Sequence, residues 1–155
     1  MTNRSASQKQ SKFSKRLKKY ITYKIMKVEV SDGEILDKLS ILEIKLENII
    51  DEKKLSNVRK EHDIIKQTIG EPTWYEHVFR KFGFYDQLRE LNGALWEIED
   101  AIRLKEKAQE FDSVFVQLAR QVYQTNDKRA EIKKEINIYT GSNLSEEKSY
   151  EEYSD

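Results

Sequence analysis

The chain of 155 residues contains no cysteine, and it has only two histidines, five glycines and one proline. The absence of cysteine excludes disulfides, thiolate nucleophiles and thiolate metal ligands. Two histidines are too few for a histidine-rich zinc site, and we expect no metal and no cofactor. A chain so poor in glycine and proline has few tight turns, which argues against an all-β fold.

Long apolar stretches are also missing, because no uninterrupted apolar run reaches ten residues. The sequence therefore predicts neither a membrane-spanning helix nor a secretory signal. Hydrophobic residues make up 37% of the chain and charged residues 36%, a balance that suits a helix bundle with a thin core and a charged exterior. We expect a soluble protein of the cytoplasm, or of the host cytoplasm or a viral factory if the chain is viral.

Acidic residues are absent from the first 28 positions, which carry nine lysines or arginines. The rest of the chain holds nineteen basic and twenty-eight acidic residues, a net charge of −9. Residues 1–25 are therefore predicted to be a basic arm, disordered or weakly amphipathic. This arm can contact nucleic acid, an anionic membrane or the acidic body, while a solvated tail or an organelle transit peptide also fits its composition. A chain begun at Met26 would read as a sensible start for a compact domain.

Apolar residues recur at helical spacing after this arm. Ser31 and Glu34 match the S-x-x-E capping box that opens a helix. A change in the phase of the apolar stripe predicts a second helix, which begins near Asp51 and ends at Gly70.

Two longer helices follow. The third is predicted over about residues 85–109, and Gly93 inside it is expected to permit the close approach of a neighbour. The fourth has its seam residues in a strict four-three repeat from Phe111 to Tyr139, and it stops at Gly141. An unbroken repeat of this kind also suits coiled-coil pairing with a second copy, so a homodimer is one expectation.

Long helices joined by short loops predict an all-α fold, which we expect to be an up-and-down antiparallel helical bundle of three to four long helices. The bundle domain is predicted over residues 26–141. Residues 142–155 form an acidic tail, which is either loose or docked on the bundle.

Four charged residues crowd the start of the first helix: Asp32, Glu34, Asp37 and Lys38. Helix capping and the helix dipole explain Asp32 and Glu34 sufficiently, so the cluster is a weak candidate for acid–base catalysis or metal binding. Asp37 and Lys38 are expected to be solvated, with Lys38 the better candidate to reach a site between helices.

The seam of the fourth helix is interrupted by Thr125 and Arg129, with Asn126 and Lys133 beside them on the same face. An arginine on a buried stripe needs a partner, because an unpaired buried charge is very costly. In a structural interpretation the partner is an internal carboxylate. The candidate acceptors are Glu43, Glu99 and Asp100.

In a functional interpretation, the same residues form a pocket between helices that recognises a carboxylate, phosphate or sulfate. Arg129 then binds the anion through two parallel hydrogen bonds, Lys133 is a second cation and Asn126 is a hydrogen-bonding group. The third helix offers a matching polar flank that includes Glu99. Trp96 lies on that flank, and we expect it to be a core residue rather than the wall of a pocket.

Four blocks of the sequence resemble a small helical domain family of bacteria, phages and large DNA viruses, known only as a domain of unknown function. The blocks occur in the family's order over about residues 26–150, and they are VEVSDGEILDKLSILEIKLENI, LNGALWEIEDAI, LARQVYQTNDKRAEIKKEIN and GSNLSEEKSY. Members often occur near or fused to glycosyltransferases and surface-polysaccharide genes. They commonly begin at the equivalent of Met26, so nothing carries over to residues 1–25.

The resemblance implies that residues 31–38, 96–100, 126–129 and 147–150 are the family's signature. It adds two residues of the tail, Lys148 and Tyr150, which periodicity alone treats as part of a loose segment. The candidate ligand-binding residues are then Lys38, Glu99, Asn126, Arg129, Lys133, Lys148 and Tyr150. Because the family has no established activity, no catalytic residue carries over.

Three hypotheses for the function follow. The preferred one is a non-enzymatic helical module that binds a partner protein or a small anionic ligand, in glycan or surface-polysaccharide assembly. The second is a small helical-bundle enzyme that acts on a carboxylate- or phosphate-bearing metabolite, with an architecture similar to helical chorismate mutases. The third is attachment to nucleic acid or to a membrane through residues 1–25.

Overall fold

A computed structural model of the chain describes residues 26–70, Val78 and residues 82–149. This part of the chain contains four α-helices and no strand. The helices are α1 (Asp32–Asn48), α2 (Glu52–Ile69), α3 (Phe84–Ala108) and α4 (Ser113–Thr140). The predicted all-α bundle of long helices is confirmed, whereas the predicted basic arm, residues 1–25, lies outside the described residues.

Local capping explains where the helices begin and end. The side chains of Ser31, Asp51 and Asp112 each accept a hydrogen bond from the backbone N–H three residues later, at 3.2, 2.8 and 3.0 Å. Gly141 ends α4 in the left-handed region, with φ of +69°, which glycine adopts without steric cost. The predicted caps at Ser31 and Asp51 and the predicted stop at Gly141 are confirmed.

Helix α1 is the centre of the bundle, because it packs against each of the other three helices. Its side chains of Leu36, Leu39 and Leu42 are almost completely removed from solvent, and burial of this kind is the main favourable contribution to folding. The fully buried members of the core are Leu36, Leu39, Leu42, Val78, Leu88 and Ile136.

The buried face of α4 follows the predicted repeat as far as Ile136, which is fully buried, and departs from it at the last position. The repeat assigns Ile132 and Tyr139 to the seam, yet Tyr139 is exposed and the buried residues near the end of the helix are Lys133, Ile136 and Asn137. A straight helix with 3.6 residues per turn drifts by about 20° per heptad relative to a seven-residue pattern. By the end of the 28-residue helix this drift has brought Lys133 and Asn137 into the buried face beside the seam residue Ile136.

The helix hairpin of α3 and α4 is exposed along much of its length. From residue 96 to residue 132, which includes the connection between the two helices, no residue is buried. We call residues 96–132 the distal hairpin. Helices α3 and α4 contain 25 and 28 residues, whereas α1 and α2 contain 17 and 18, so the longer pair extends past the shorter pair.

The close helix approach occurs at Gly33 and not at Gly93. No atom of a described residue lies within 4 Å of a Cβ built on Gly93, so the expectation for that residue is wrong. A Cβ built on Gly33 would lie 2.5 Å from the carbonyl oxygen of Lys133. The Gly33 N–H also donates to Oδ1 of Asn137 at 2.7 Å, so the start of α1 rests directly on the end of α4.

Gly33→Ala should therefore lower the free energy of unfolding by about 1–3 kcal/mol, because the new methyl group overlaps a backbone atom that cannot rotate away. Gly93→Ala is the matched control in an open helical position, and it should raise stability by up to about 1 kcal/mol. Urea denaturation followed by circular dichroism measures both. Equal stability of the two variants would contradict the packing at Gly33.

Candidate functional site

Residues of helices α1, α3 and α4 line a cavity of about 490 Å³ that is open to solvent. This volume lies in the range of small-molecule sites, which are mainly apolar with a few polar groups. Its apolar lining consists of Ile41, Ile44, Leu95 and Trp96. Its polar lining consists of Asn92, Glu99, Asp100, Arg103, Asn126 and Arg129.

A buried amide in the wall of this cavity connects a carboxyl group to a guanidinium group. Asp37 on α1 is only 4% exposed, and its Oδ1 accepts a hydrogen bond of 2.7 Å from Nδ2 of Asn92 on α3. The oxygen of the same amide accepts a hydrogen bond of 3.0 Å from Nη1 of Arg129 on α4. Asn92 thus presents its donor to the carboxylate and its acceptor to the guanidinium, and it connects three helices.

Ser40 completes this network. Its hydroxyl accepts a hydrogen bond of 2.8 Å from the Asn92 amide and donates one of 2.8 Å to the backbone carbonyl of Asp37. Ser40 is fully buried and Asn92 is 5% exposed, so these hydrogen bonds replace contacts with water. A satisfied buried network of this type restricts its members to one arrangement.

Arg129 does not form the ion pair that was expected from the sequence. Among the described residues no carboxylate pairs with it directly, and its partner is the neutral oxygen of Asn92. A guanidinium has five N–H donors, and only Nη1 is used in a hydrogen bond to a described residue. The residue therefore has a structural contact and also lines the cavity, so the two interpretations of Arg129 are compatible.

The margin of the cavity carries a local ion pair and a polar side chain. Glu99 Oε2 lies 2.5 Å from Nη1 of Arg103, one turn further along α3. Asn126 donates a hydrogen bond of 2.9 Å from Nδ2 to the backbone carbonyl of Val122, so the amide is held in place. Trp96, expected in the core, instead lines the cavity and is only partly buried.

Lys133 lies one helical turn from Arg129 and belongs to a second cluster, which is linked to the first because Arg129, after Lys133, also helps to lower the pKa of Glu146. Its Nζ is 2.6 Å from Glu34 Oε2 and 2.5 Å from Glu146 Oε2, and its side chain is 8% exposed. Burial opposes the charge on Lys133, yet hydrogen bonds to Glu146 and Glu34 outweigh this effect and raise its pKa. The hydrogen bond to Lys133 in turn lowers the pKa of Glu146. The ammonium group of Lys133 is therefore already paired with two carboxylates of the protein.

The start of α1 is also satisfied by the protein itself. The N–H groups of residues 32, 33 and 34 donate to Ser142 Oγ, Asn137 Oδ1 and Ser31 Oγ. A helix start binds an anion through its unsatisfied N–H groups, and these three are in use. Glu34, the last member of the predicted capping box, directs its carboxylate to Lys133.

The other candidate residues lie outside the cavity. Lys38 is exposed and pairs with Glu61 of α2 at 2.8 Å, so it faces away from the site it was expected to reach. Each residue turns a helix by about 100°, and the inward position belongs to the preceding residue, Asp37. Lys148 Nζ lies 3.5 Å from the backbone carbonyl oxygen of Asn126. Tyr150 lies outside the described residues.

Asp37 was expected to be solvated, and its burial corrects that expectation. The spacing of residues in the sequence does indicate that Asp37 is buried. Gly33, Asp37, Ser40 and Ile44 follow one another at intervals of four, three and four residues, which places them on one face of α1. All four are buried, so a face of small and polar residues runs beside the leucine stripe.

Residues 26–154 match the Family of unknown function (DUF6165). The chain belongs to this family. No curated protein and no solved structure matches the chain. The DUF6165 match includes every residue that lines the cavity and every member of the Asp37 and Lys133 clusters. It agrees with the resemblance to a domain of unknown function.

In residues 26–70, Val78 and 82–149, no helix combines the length and the apolar character that crossing a membrane requires. The same part of the chain contains no group of three or more His, Cys, Asp or Glu residues suited to hold a metal ion.

Asn92→Ala should lower the free energy of unfolding by about 2–4 kcal/mol, because it removes the amide donor of a buried carboxylate. Lys38→Ala removes an exposed ion pair on the neighbouring position of α1 and should cost less than about 1 kcal/mol. Chemical denaturation of both variants measures the difference. Similar losses in the two variants would show that the buried network does not contribute as described.

The contact between Glu146 and Lys133 should be lost at both extremes of pH. Glu146 has a lowered pKa, so its contribution is present above its ordinary pKa of 4.5 and disappears as the pH falls through the lowered value. Lys133 has a raised pKa, so its contribution is present below 10.5 and disappears as the pH rises through the raised value.

Thermal unfolding of Glu146→Gln against the wild type tests this expectation. The difference in Tm should be present at pH 7 and should vanish in strong acid, where the wild-type carboxylate is protonated. Glu147→Gln, the neighbouring tail position, is the control and should unfold like the wild type at both pH values. A Tm difference for Glu146→Gln that is independent of pH would contradict the ion pair.

Proposed function

We propose that this protein is a non-enzymatic binding module, and that its interhelical cavity takes a small ligand with an anionic group and an apolar body. The observation that carries the proposal is the position of Arg129 on the cavity wall, with a neutral partner and next to apolar side chains. Arginine recognises carboxylate and phosphate groups through two parallel hydrogen bonds. The anionic group of the ligand would accept hydrogen bonds from the N–H groups of Arg129 that do not donate to a described residue.

The network behind Arg129 supports binding because it orients the guanidinium before a ligand arrives. Asn92 is itself held by Asp37 and Ser40, so Nη1 has a fixed acceptor. A group that is already ordered loses less conformational entropy on binding, and this raises affinity. The charge of Arg129 also acts on Glu146, whose pKa is lowered first by Lys133 and then also by Arg129, although among the described residues Arg129 has no direct carboxylate contact.

The remaining lining supports a ligand with an apolar or flat body. Trp96 offers a large aromatic surface, and Leu95 and Ile44 are apolar neighbours in the same lining. The ion pair of Glu99 with Arg103 neutralises two charges at the margin, which leaves Arg129 as the cation for the ligand.

Acidic or phosphorylated sugars belong to this ligand class, since they combine an anionic group with a flat C–H face. The resemblance to domains of bacteria, phages and large DNA viruses near glycosyltransferase genes favours glycan or surface-polysaccharide assembly in the cytoplasm as the setting. A partner protein could bind in the same way, if it inserts an acidic side chain next to an apolar one into the cavity.

Binding is preferred to catalysis because the cations are dispersed. An enzyme of the chorismate mutase type would use several basic side chains in one site. Here Lys133 is occupied by two carboxylates and Lys38 is bound to Glu61 on the outer surface. Attachment through residues 1–25 stays a prediction, since those residues lie outside the described part of the chain.

A thermal-shift panel tests the proposal with aromatic carboxylates, sugar phosphates, uronic acids, phosphate and sulfate. A ligand at about a hundred times its Kd stabilises the folded state by about 2.7 kcal/mol, so a true ligand raises the Tm measurably. Arg129→Met should lose this increase. Arg120→Met, an exposed arginine on the same helix, is the matched control and should keep it.

Two results would overturn the proposal. One is a flat response of the wild type across the whole panel. The other is a shift of equal size in Arg129→Met, which would locate the ligand elsewhere. Uncharged analogues of each positive compound complete the design, because their binding would show that the anionic group is not recognised.

A further inference from the structure

After the end of α4 the chain turns back along the same helix, and we call residues 142–149 the strap. The strap begins at Ser142, whose N–H donates to the carbonyl oxygen of Asn137 at 3.0 Å. Its last described contact joins Lys148 Nζ to the carbonyl oxygen of Asn126 at 3.5 Å. These two points on α4 are eleven residues apart, so the strap runs along roughly 16 Å of the helix.

The strap brings a carboxylate close to the cation of the cavity. Glu146 Oε2 lies 2.5 Å from Nζ of Lys133, which is one helical turn from Arg129. The hydrogen bond to Lys133 lowers the pKa of Glu146 most, and the charges of Lys148 and Arg129 lower it further. Asn126, at the last described contact of the strap, lines the cavity together with Arg129. The Glu146 carboxylate and the anionic group of a ligand are therefore attracted by the same guanidinium.

The strap is held by polar contacts at the surface and buries little apolar area. Residues 143–149 are all exposed. Leu144 is the single apolar residue of the strap, and it is 41% exposed. Segments with few buried apolar contacts open at a low cost in free energy, while the core of the domain stays folded. The strap is therefore able to leave α4 without unfolding of the bundle.

We propose that the strap is an autoinhibitory segment of the cavity, in which Glu146 competes with the anionic group of a ligand for the positive charge of Arg129. This inference rests on the function proposed for the cavity and adds its regulation. A ligand anion at Arg129 and the carboxylate of Glu146 repel each other, so ligand binding loosens the strap. Because coupling between two sites is reciprocal, release of the strap strengthens ligand binding by the same factor.

The composition of the tail favours competition with an anion over assistance to its binding. Residues 142–155 contain five acidic residues and one lysine, a net charge of −4. A segment that attracted anionic ligands would carry an excess of positive charge to the cavity. Lys148 is the single cation of this tail, and its Nζ contacts the backbone carbonyl oxygen of Asn126, where it helps to anchor the strap.

A titration of the Glu146 carboxyl group by NMR tests the contact between the strap and Arg129 in the full chain without any ligand. In Arg129→Met this carboxyl should titrate at a higher pH than in the wild type, by roughly 0.3 of a pH unit or more, because a nearby positive charge is lost. Arg120→Met, which changes an exposed arginine further along α4, is the control and should leave the titration unchanged. An unchanged titration in Arg129→Met would overturn the proposal.

Isothermal titration calorimetry with 2-naphthoate, a flat aromatic carboxylate, tests the competition itself. Glu146→Gln in the full chain should lower the Kd by about fivefold or more, since the competing charge is removed. Glu147→Gln is the matched control, because it removes the same charge from the neighbouring tail position, and its Kd should equal that of the wild type. Arg129→Met should lose the binding, alone and combined with Glu146→Gln.

The outcomes separate a failure of autoinhibition from a failure of the cavity as a binding site. Equal or weaker binding in Glu146→Gln, with binding still lost in Arg129→Met, overturns autoinhibition and leaves the function proposed for the cavity intact. If neither the wild type nor Glu146→Gln binds 2-naphthoate or any other compound of the thermal-shift panel, the function proposed for the cavity fails, and the autoinhibition fails with it.

Discussion

The buried carboxylate of Asp37 is the constraint on which the arrangement of the helices depends. An unpaired charge in this position would cost several kcal/mol, so a donor has to reach it from another helix. Asn92 of α3 is that donor, and its amide oxygen then accepts from Arg129 of α4. One amide between two opposite charges thereby specifies how three helices face each other, and it places the guanidinium at the cavity.

At the two ends of the bundle, polar and apolar side chains differ in how completely they find partners within the protein. At one end Gly33 allows α1 to rest on α4, and the nearby cation Lys133 is bound by Glu34 and Glu146. At the other end the distal hairpin has no buried residue. Arg129 belongs to the distal hairpin and lies one helical turn before Lys133, so the cavity is in the part of the hairpin that adjoins the closed end.

Local rules made much of the fold predictable, but not the partners of the polar residues. Ser31, Asp51 and Gly141 act through atoms within a few residues, so their roles can be read from short segments. The sequence predicts a carboxylate of another helix, Glu43, Glu99 or Asp100, as the partner of Arg129, whereas the partner in the structure is the amide oxygen of Asn92. Trp96 is predicted to be a core residue because large aromatic residues are usually buried, whereas in the structure it lines the cavity beside Arg129.

The sequence by itself determined the four helices, their caps and the presence of polar residues within apolar stripes, because these depend on neighbours along the chain. Only the tertiary structure decided which polar residues meet. Asp37 and Asn92 are 55 positions apart, and Lys133 and Glu34 are 99 apart. Such pairs depend on the rotation of each helix about its axis and on where helices cross, and the periodicity of a single helix specifies neither.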